Sequence, residues 1–303
     1  MSLSGRLGPQ GRLGSFGVWT WLDMMPAAQA AAFAKRVEAW GYSALWLPEA
    51  VGRDPFATIA YLGAHTTRLS YATGIANLYA RDAMTMNALR LTVGEMTGGR
   101  FVLGIGVSHG HLVTNVRGHE YGKPVTTMRN YLDAMGKALY MAAKPAEDVP
   151  IVLAALRPKM LALAAERCAG AHPYFVPPEH TARAREILGK GKILAPEQKV
   201  LLCTDAAKAR SVARAAMKIY AGLPNYQNNL KWLGYTDADF EGGCSDRLVD
   251  AIVAWGDETA IRKRIQAHYD AGADHVCIQP LHPDGLPMPD EKVLELLAPA
   301  KNQ

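Results

Sequence analysis

Short, continuous apolar runs recur along the chain, with helix-periodic stretches between them. The runs are LGSFGVWT (13–20), ALWLPE (44–49), RLSYATGI (68–75), RFVLGIGV (100–107), IVLAAL (151–156), AHPYFV (171–176), KVLLCT (199–204) and HVCIQP (275–280), eight in all. Most do not alternate apolar with polar, which predicts strands buried on both faces, as in parallel sheets. Between them, Ala30, Phe33, Ala34, Val37 and Trp40 share one face of a helix over 27–40 that Gly41 ends. Met86, Leu89, Val93 and Met96 repeat the pattern over 83–97, closed by Gly98-Gly99. Met128, Leu132, Met135 and Leu139 do so over 126–141, and Ile261, Ile265 and His268 over 259–271. Eight strands alternating with helices fit an α/β fold of the (β/α)8 barrel type better than a doubly wound sheet. The rhythm breaks twice: 109–125 follow strand four as a long loop, and about 70 residues separate strands seven and eight. In that second gap GLPNYQNNLKWLGY (222–235) and SDRLVDAIVAWG (245–256) predict extra helices. No internal repeat or low-complexity stretch appears, so 1–303 reads as one domain with insertions.

Composition narrows the class. The chain of 303 residues is long enough for one large barrel or two domains, and 49% hydrophobic with 20% charged residues argues against disorder. No apolar run approaches the roughly 18–20 residues that cross a bilayer. Residues 1–12 lack the apolar stretch of a signal peptide and read as a flexible tail, so a soluble, cytoplasmic protein is expected. Cys168, Cys203, Cys244 and Cys277 lie at least 33 residues apart, which leaves no C-x-x-C pair for zinc or redox work. The net charge of +5 is scattered, with no basic stripe interleaved with aromatics. That argues against nucleic acid, while an anionic small molecule is equally well served.

The chemistry concentrates after strand four, in FVLGIGVSHGH (101–111). Gly104, Gly106 and Gly110 give G-x-G-x-x-x-G, one residue too long for the dinucleotide fingerprint. His109-x-His111 has the look of a chelating pair, but a metal site needs further ligands and only Glu49 is obviously available. A cofactor pocket is the remaining reading, because a barrel's active site lies at the C-terminal ends of its strands. Trp19 and Trp21, Glu49, Gly74 to Asn77, Ser108, His109, His111, Arg157 to Lys159, His172 and Tyr174 all fall there.

LWLPEAVGRDPF, ATGIANLYARDAMTMNALRLTVGEMTGGRFVLGIGVSH and IVLAALRPKMLALAAERCAGA resemble the bacterial-luciferase-like superfamily, and within it the coenzyme F420-dependent oxidoreductases. PEAVGRDPF and YFVPPEHTARAREIL look like one actinobacterial subgroup of these, and the likeness extends to WGDETAIRKRIQAHYDAGADHVCIQP. The resemblance implies a luciferase-like barrel, a homodimer, and hydride transfer between F420 and a small organic substrate. An FMN-dependent monooxygenase is the alternative within the fold, and a non-catalytic flavin or deazaflavin binder the alternative outside enzymes.

The same resemblance distributes roles. Gly74 either eases a turn or, with Ile75, forms a non-prolyl cis peptide whose bulge, with Ala76 and Asn77, backs the deazaflavin ring. Val107, Ser108, Ala154, Ala155 and Leu156 would line the cofactor. Arg157, Pro158 and Lys159 would grip its phosphate at a helix start. His109 stands where relatives carry a glutamate acid and becomes the catalytic acid or base. Glu49 either contacts the ring edge, as a second catalytic candidate, or pairs with Arg53. Trp19, Trp21, His111 and Tyr174 would form the substrate wall, with only one of the two tryptophans expected to face the mouth. One departure stands out: relatives commonly read Glu-His at the end of strand two, and here the text is Glu49-Ala50.

Overall fold

The computed structural model describes residues 13–299; the expected tail, 1–12, lies outside them. Eleven strands form one parallel sheet: β1 (Phe16–Trp19), β2 (Ala44–Leu47), β3 (Ser70–Thr73), β4 (Ala76–Asn77), β5 (Phe101–Gly106), β6 (Ile151–Leu153), β7 (Gly170–Ala171), β8 (Ile193–Leu194), β9 (Glu197–Leu202), β10 (Val253–Gly256) and β11 (Val276–Pro280). Around them run α1 (Ala27–Ala39), α2 (Pro55–Gly63), α3 (Ala83–Met96), α4 (Pro124–Gly136), α5 (Pro158–Arg167), α6 (Pro178–Leu188), α7 (Ala206–Ala221), α8 (Pro224–Trp232), α9 (Asp246–Ile252), α10 (Glu258–Asp270) and α11 (Glu291–Leu296).

The sheet order is β10-β9-β11-β1-β2-β3-β5-β6-β7-β8. The ring closes through the 193–202 segment. On one side the amides of Ile193, Ala195 and Glu197 donate to the carbonyls of Ala169, Ala171 and Pro173. On the other, Cys277 donates to Pro196, and β11 runs in register with β9 from Cys277↔Glu197 to Pro280↔Val200. Alternation within strands sorts side chains to the two faces. Trp19, Ala44, Trp46, Ala72, Val102, Val152, Ala195 and Cys277 fill the barrel interior, while Val18, Leu45, Tyr71 and Leu103 face the helices. Burying each large side chain contributes about 1.5–3 kcal/mol. Helix starts are set locally: Asp54, Asp82, Asp205, Ser245, Asp257 and Asp290 each accept an otherwise orphaned amide of the first turn.

Several boundaries depart from the sequence reading. Strand six was expected over 171–176 and is regular only over Gly170–Ala171, with a last bond at the Pro173 carbonyl, because Pro173 has no N–H and Phe175 turns the chain at φ 62°. Strand seven begins at Ile193, ahead of the expected 199, with Pro196 interrupting it. Strand five stops at Leu153 instead of 156, and the helix expected over 126–141 ends at Gly136. The helix expected over 245–256 stops at Ile252, and Val253–Gly256 becomes a strand beside β9. The loop after strand four contains a π-helical turn, Leu112–Val116. Phe175, Leu201, Met217, Tyr226, Leu230 and Leu248 form a separate core under the inserted helices.

Candidate active site at the barrel mouth

The end of β3 is bent into a bulge. The Gly74–Ile75 peptide is cis, and the chain resumes pairing as β4 against β5. Four hydrogen bonds hold it: Gly74 N–H donates to the Leu47 carbonyl (2.8 Å), the Trp19 indole donates to the Gly74 carbonyl (2.8 Å), Glu49 N–H donates to Ile75 (3.2 Å), and Asn77 N–H donates to Glu49 Oε2 (2.7 Å). The glycines opposite are there for room. A Cβ on Gly104 would sit 1.9 Å from the Thr73 carbonyl oxygen, and one on Gly106 would sit 2.8 Å from Ile75 Cδ1 and 3.0 Å from Ala154 Cβ. Ile75, Gly106 and Ala154 therefore meet across three strands, with Val107, Ser108 and Leu156 half-buried around them and Ala155 buried.

Glu49 is not paired with Arg53. Both its oxygens take the Arg81 guanidinium (2.8 Å each), and Arg81 also reaches Asp54 at 2.5 Å, whereas Arg53 donates to the Met25 carbonyl. With the Asn77 amide added, the carboxylate braces the bulge, which corrects the pairing with Arg53. Ala50 offers no side chain for acid–base work, but its carbonyl accepts a hydrogen bond from Arg117 (2.9 Å) on the strand-four loop.

His109 and His111 diverge. Ser108, at φ 57°, turns the chain, and His109 packs half-buried with its ring 5.5 Å from Tyr226, while His111 is exposed. Burial pulls the His109 pKa below the ordinary imidazole value, partly offset by a hydrogen bond with Asn225, and its Nδ1 is buried without a partner. The Asn77 side-chain Nδ2 is likewise buried and unpartnered. The His172 Nε2, which a Cβ on Gly74 would approach to 3.2 Å, is a third buried atom without a partner, at the bulge itself. Among the described residues, no group of three or more His, Cys, Asp or Glu is arranged to hold a metal ion.

Trp19 and Trp21 are not separated by alternation, since residues two apart in an extended chain share a face. Trp19 is buried, and Trp21 packs edge-on to it at 5.5 Å, half-buried at the mouth. Tyr174 lies 5.0 Å from Trp19, its hydroxyl donating to Gln279 (2.9 Å). Burial drives the Tyr174 pKa well above the usual phenol range. His172 lies deeper in the barrel, stacked 4.3 Å from Trp46. Arg157, Pro158 and Lys159 are exposed at the start of α5, with Pro158 in its first turn and no side chain capping it. The sequence reading missed Arg81, Arg117, Asn225, Tyr226, Glu197 and Lys199. Only the last two left a local trace, as charges on alternate positions of an otherwise apolar strand.

The chain belongs to the luciferase-like monooxygenase family, whose description matches residues 2–275, and it is therefore an enzyme. A protein of Mycobacterium tuberculosis that carries the name coenzyme F420-dependent oxidoreductase is 27% identical, over 82% of this chain and 89% of its own. The structure of the coenzyme F420-dependent tetrahydromethanopterin reductase from Methanopyrus kandleri superposes with a TM-score of 0.70 at 18% identity, covering 94% of this chain and 97% of that one. An FMN complex of the oxygenating constituent of 3,6-diketocamphane monooxygenase from Pseudomonas putida also gives 0.70, at 16% identity and the same coverage of 94% and 97%. At these identities the two structures share the barrel fold with this chain.

Proposed function

We propose that the protein is an F420-dependent oxidoreductase that transfers a hydride between the deazaflavin and a small organic substrate. The observation that carries this reading is the braced bulge at the end of β3, where the Trp19 indole holds the Gly74 carbonyl, Glu49 holds the Asn77 amide, and the Asn77 Nδ2 is buried without a partner. The residues fit a flat heterocycle: Gly74, Ile75, Ala76 and Asn77 back it, and Val107, Ser108, Ala154, Ala155 and Leu156 line it. The exposed Arg157 and Lys159, with the free amides of α5, suit its phosphate-bearing tail. The bound deazaflavin carries the hydride; the protein supplies binding, orientation and a proton. His109, neutral at pH 7 because burial lowers its pKa, accepts the proton released when an alcohol is oxidised and returns it in the reverse direction. Trp21, His111 and Tyr174 shape the substrate side, with Trp19 behind them.

The second reading is an FMN-dependent monooxygenase, favoured by the likeness to the FMN-bound Pseudomonas putida structure. Fluorescence titration with F420 beside FMN separates them: quenching of F420 on binding supports the first, and tight FMN binding with no F420 response overturns it. The protein is further proposed to act in the cytoplasm as a homodimer, without nucleic-acid or membrane partners. Among the described residues, no helix is long and apolar enough to cross a membrane. Light scattering at the monomer mass of 32.8 kDa would count against the dimer.

A further inference from the structure

Strand β9 carries two charges into the barrel interior. Glu197 and Lys199 sit on alternate positions, each 1% exposed, with Lys199 Nζ 3.2 and 3.3 Å from the two carboxylate oxygens. Desolvation pushes the Glu197 carboxyl up and the Lys199 ammonium down, so the pair persists only through its own attraction and its further contacts. Those contacts all lead to one corner. Glu197 Oε2 accepts the amide of Phe175 (3.2 Å), the residue held at φ 62°. Lys199 Nζ lies 3.9 Å from the centroid of the Tyr174 ring and 5.1 Å from that of Tyr220. An ammonium is drawn to ring faces, so it fixes the tilt of Tyr174 in a way an apolar side chain of equal volume would not. Tyr174 in turn packs on Trp19, whose indole holds the Gly74 carbonyl.

We infer that Glu197 and Lys199 are positioning residues: they set Tyr174 against Trp19 and, through Trp19, set the bulge on which the cofactor ring rests. The inference builds on the proposed function for the role of the bulge, but the placement of Trp19 can be read without any ligand. The test is the double variant Glu197→Gln/Lys199→Met, labelled with 5-fluorotryptophan and followed by fluorine NMR, with the Trp19 signal assigned by Trp19→Phe. Replacing a buried ion pair by neutral groups of similar volume is often tolerated, so the melting temperature should stay near that of the parent. The Trp19 resonance should shift or broaden, and the dissociation constant for F420 should rise about tenfold. Glu197→Gln alone should move the resonance the same way by less, which keeps the test open if the double variant folds poorly. A Trp19 resonance unchanged in both variants would overturn the inference. Failure of the unmodified protein to bind F420 would sink the functional reading instead, while the Trp19 signal would still decide this one.

Discussion

Four histidines are folded into the barrel as neutral groups, and this makes the protein acid-sensitive in a defined window. Burial lowers His172, His180 and His275 to about 4 and His268 to about 3. All four are essentially inaccessible to solvent. In the unfolded chain each titrates near 6.5, so below that pH the unfolded state binds more protons than the folded one. The contribution of these groups is therefore complete above 6.5, falls as pH drops through 6.5, and stops falling near 4 for three of them and near 3 for His268. At pH 5 each histidine costs about 2 kcal/mol, from a gap of about 1.5 pH units at about 1.4 kcal/mol per unit. Four independent groups would sum to about 8 kcal/mol, comparable with the whole stability of a typical domain at ~5–15 kcal/mol. Carboxylates held low in the fold, such as Asp250 and Glu38, act in the same direction, but from about 4.5 downward, so the interval from 6.5 to 5 belongs to the histidines. The assay is urea denaturation at a series of pH values from 8 to 5. His275→Gln should remove about one proton from the slope. A denaturation free energy constant within about 1 kcal/mol across that range would refute the reasoning.

Other outcomes follow from the same geometry. His109→Ala should lower turnover by about 10²–10⁴-fold while leaving F420 affinity nearly intact; full turnover in that variant would make the histidine a bystander. Gly104→Ala places a Cβ 1.9 Å from the Thr73 carbonyl oxygen, a backbone atom that cannot swing aside, and should destabilise by about 1–3 kcal/mol in thermal melts. Glu49→Gln strips the bidentate partner from Arg81, which keeps Asp54, and should cost about 2 kcal/mol; equal cost in an Arg81→Met background would refute the pairing.

The barrel was legible because its strands are apolar on both faces and its helices keep a clean 3.6 period. Where the reading slipped, a local signal pointed the wrong way. Pro196 hid the true start of strand seven, since proline inside an apolar run argues against a strand. Val249, Ile252 and Val253 keep helical spacing into what becomes β10, and only pairing with β9 decides otherwise. The site was legible as a set of strand ends and illegible as a set of contacts. Arg53 lies four residues from Glu49 and is the natural local partner, yet Arg81 arrives from 32 residues away because the bulge brings strands two and three together. Tyr226 reaches His109 from the far side of the chain, through an insertion whose fold no short-range pattern specifies.

The divided strand at 193–202 has a consequence for how such an enzyme can change. Its bonds to the strand-six segment are complete once Glu197 has donated to Pro173, and beyond that point the same strand takes β10 as its neighbour. Closure of the barrel on that side is finished before the chain enters the segment that carries α7, α8 and α9. That segment rejoins the sheet as β10 beside β9, so a change of length within it leaves the bonds of the 193–197 seam untouched. Asn225 and Tyr226, which meet His109, come from that segment, so the surroundings of His109 can change without any change at the seam.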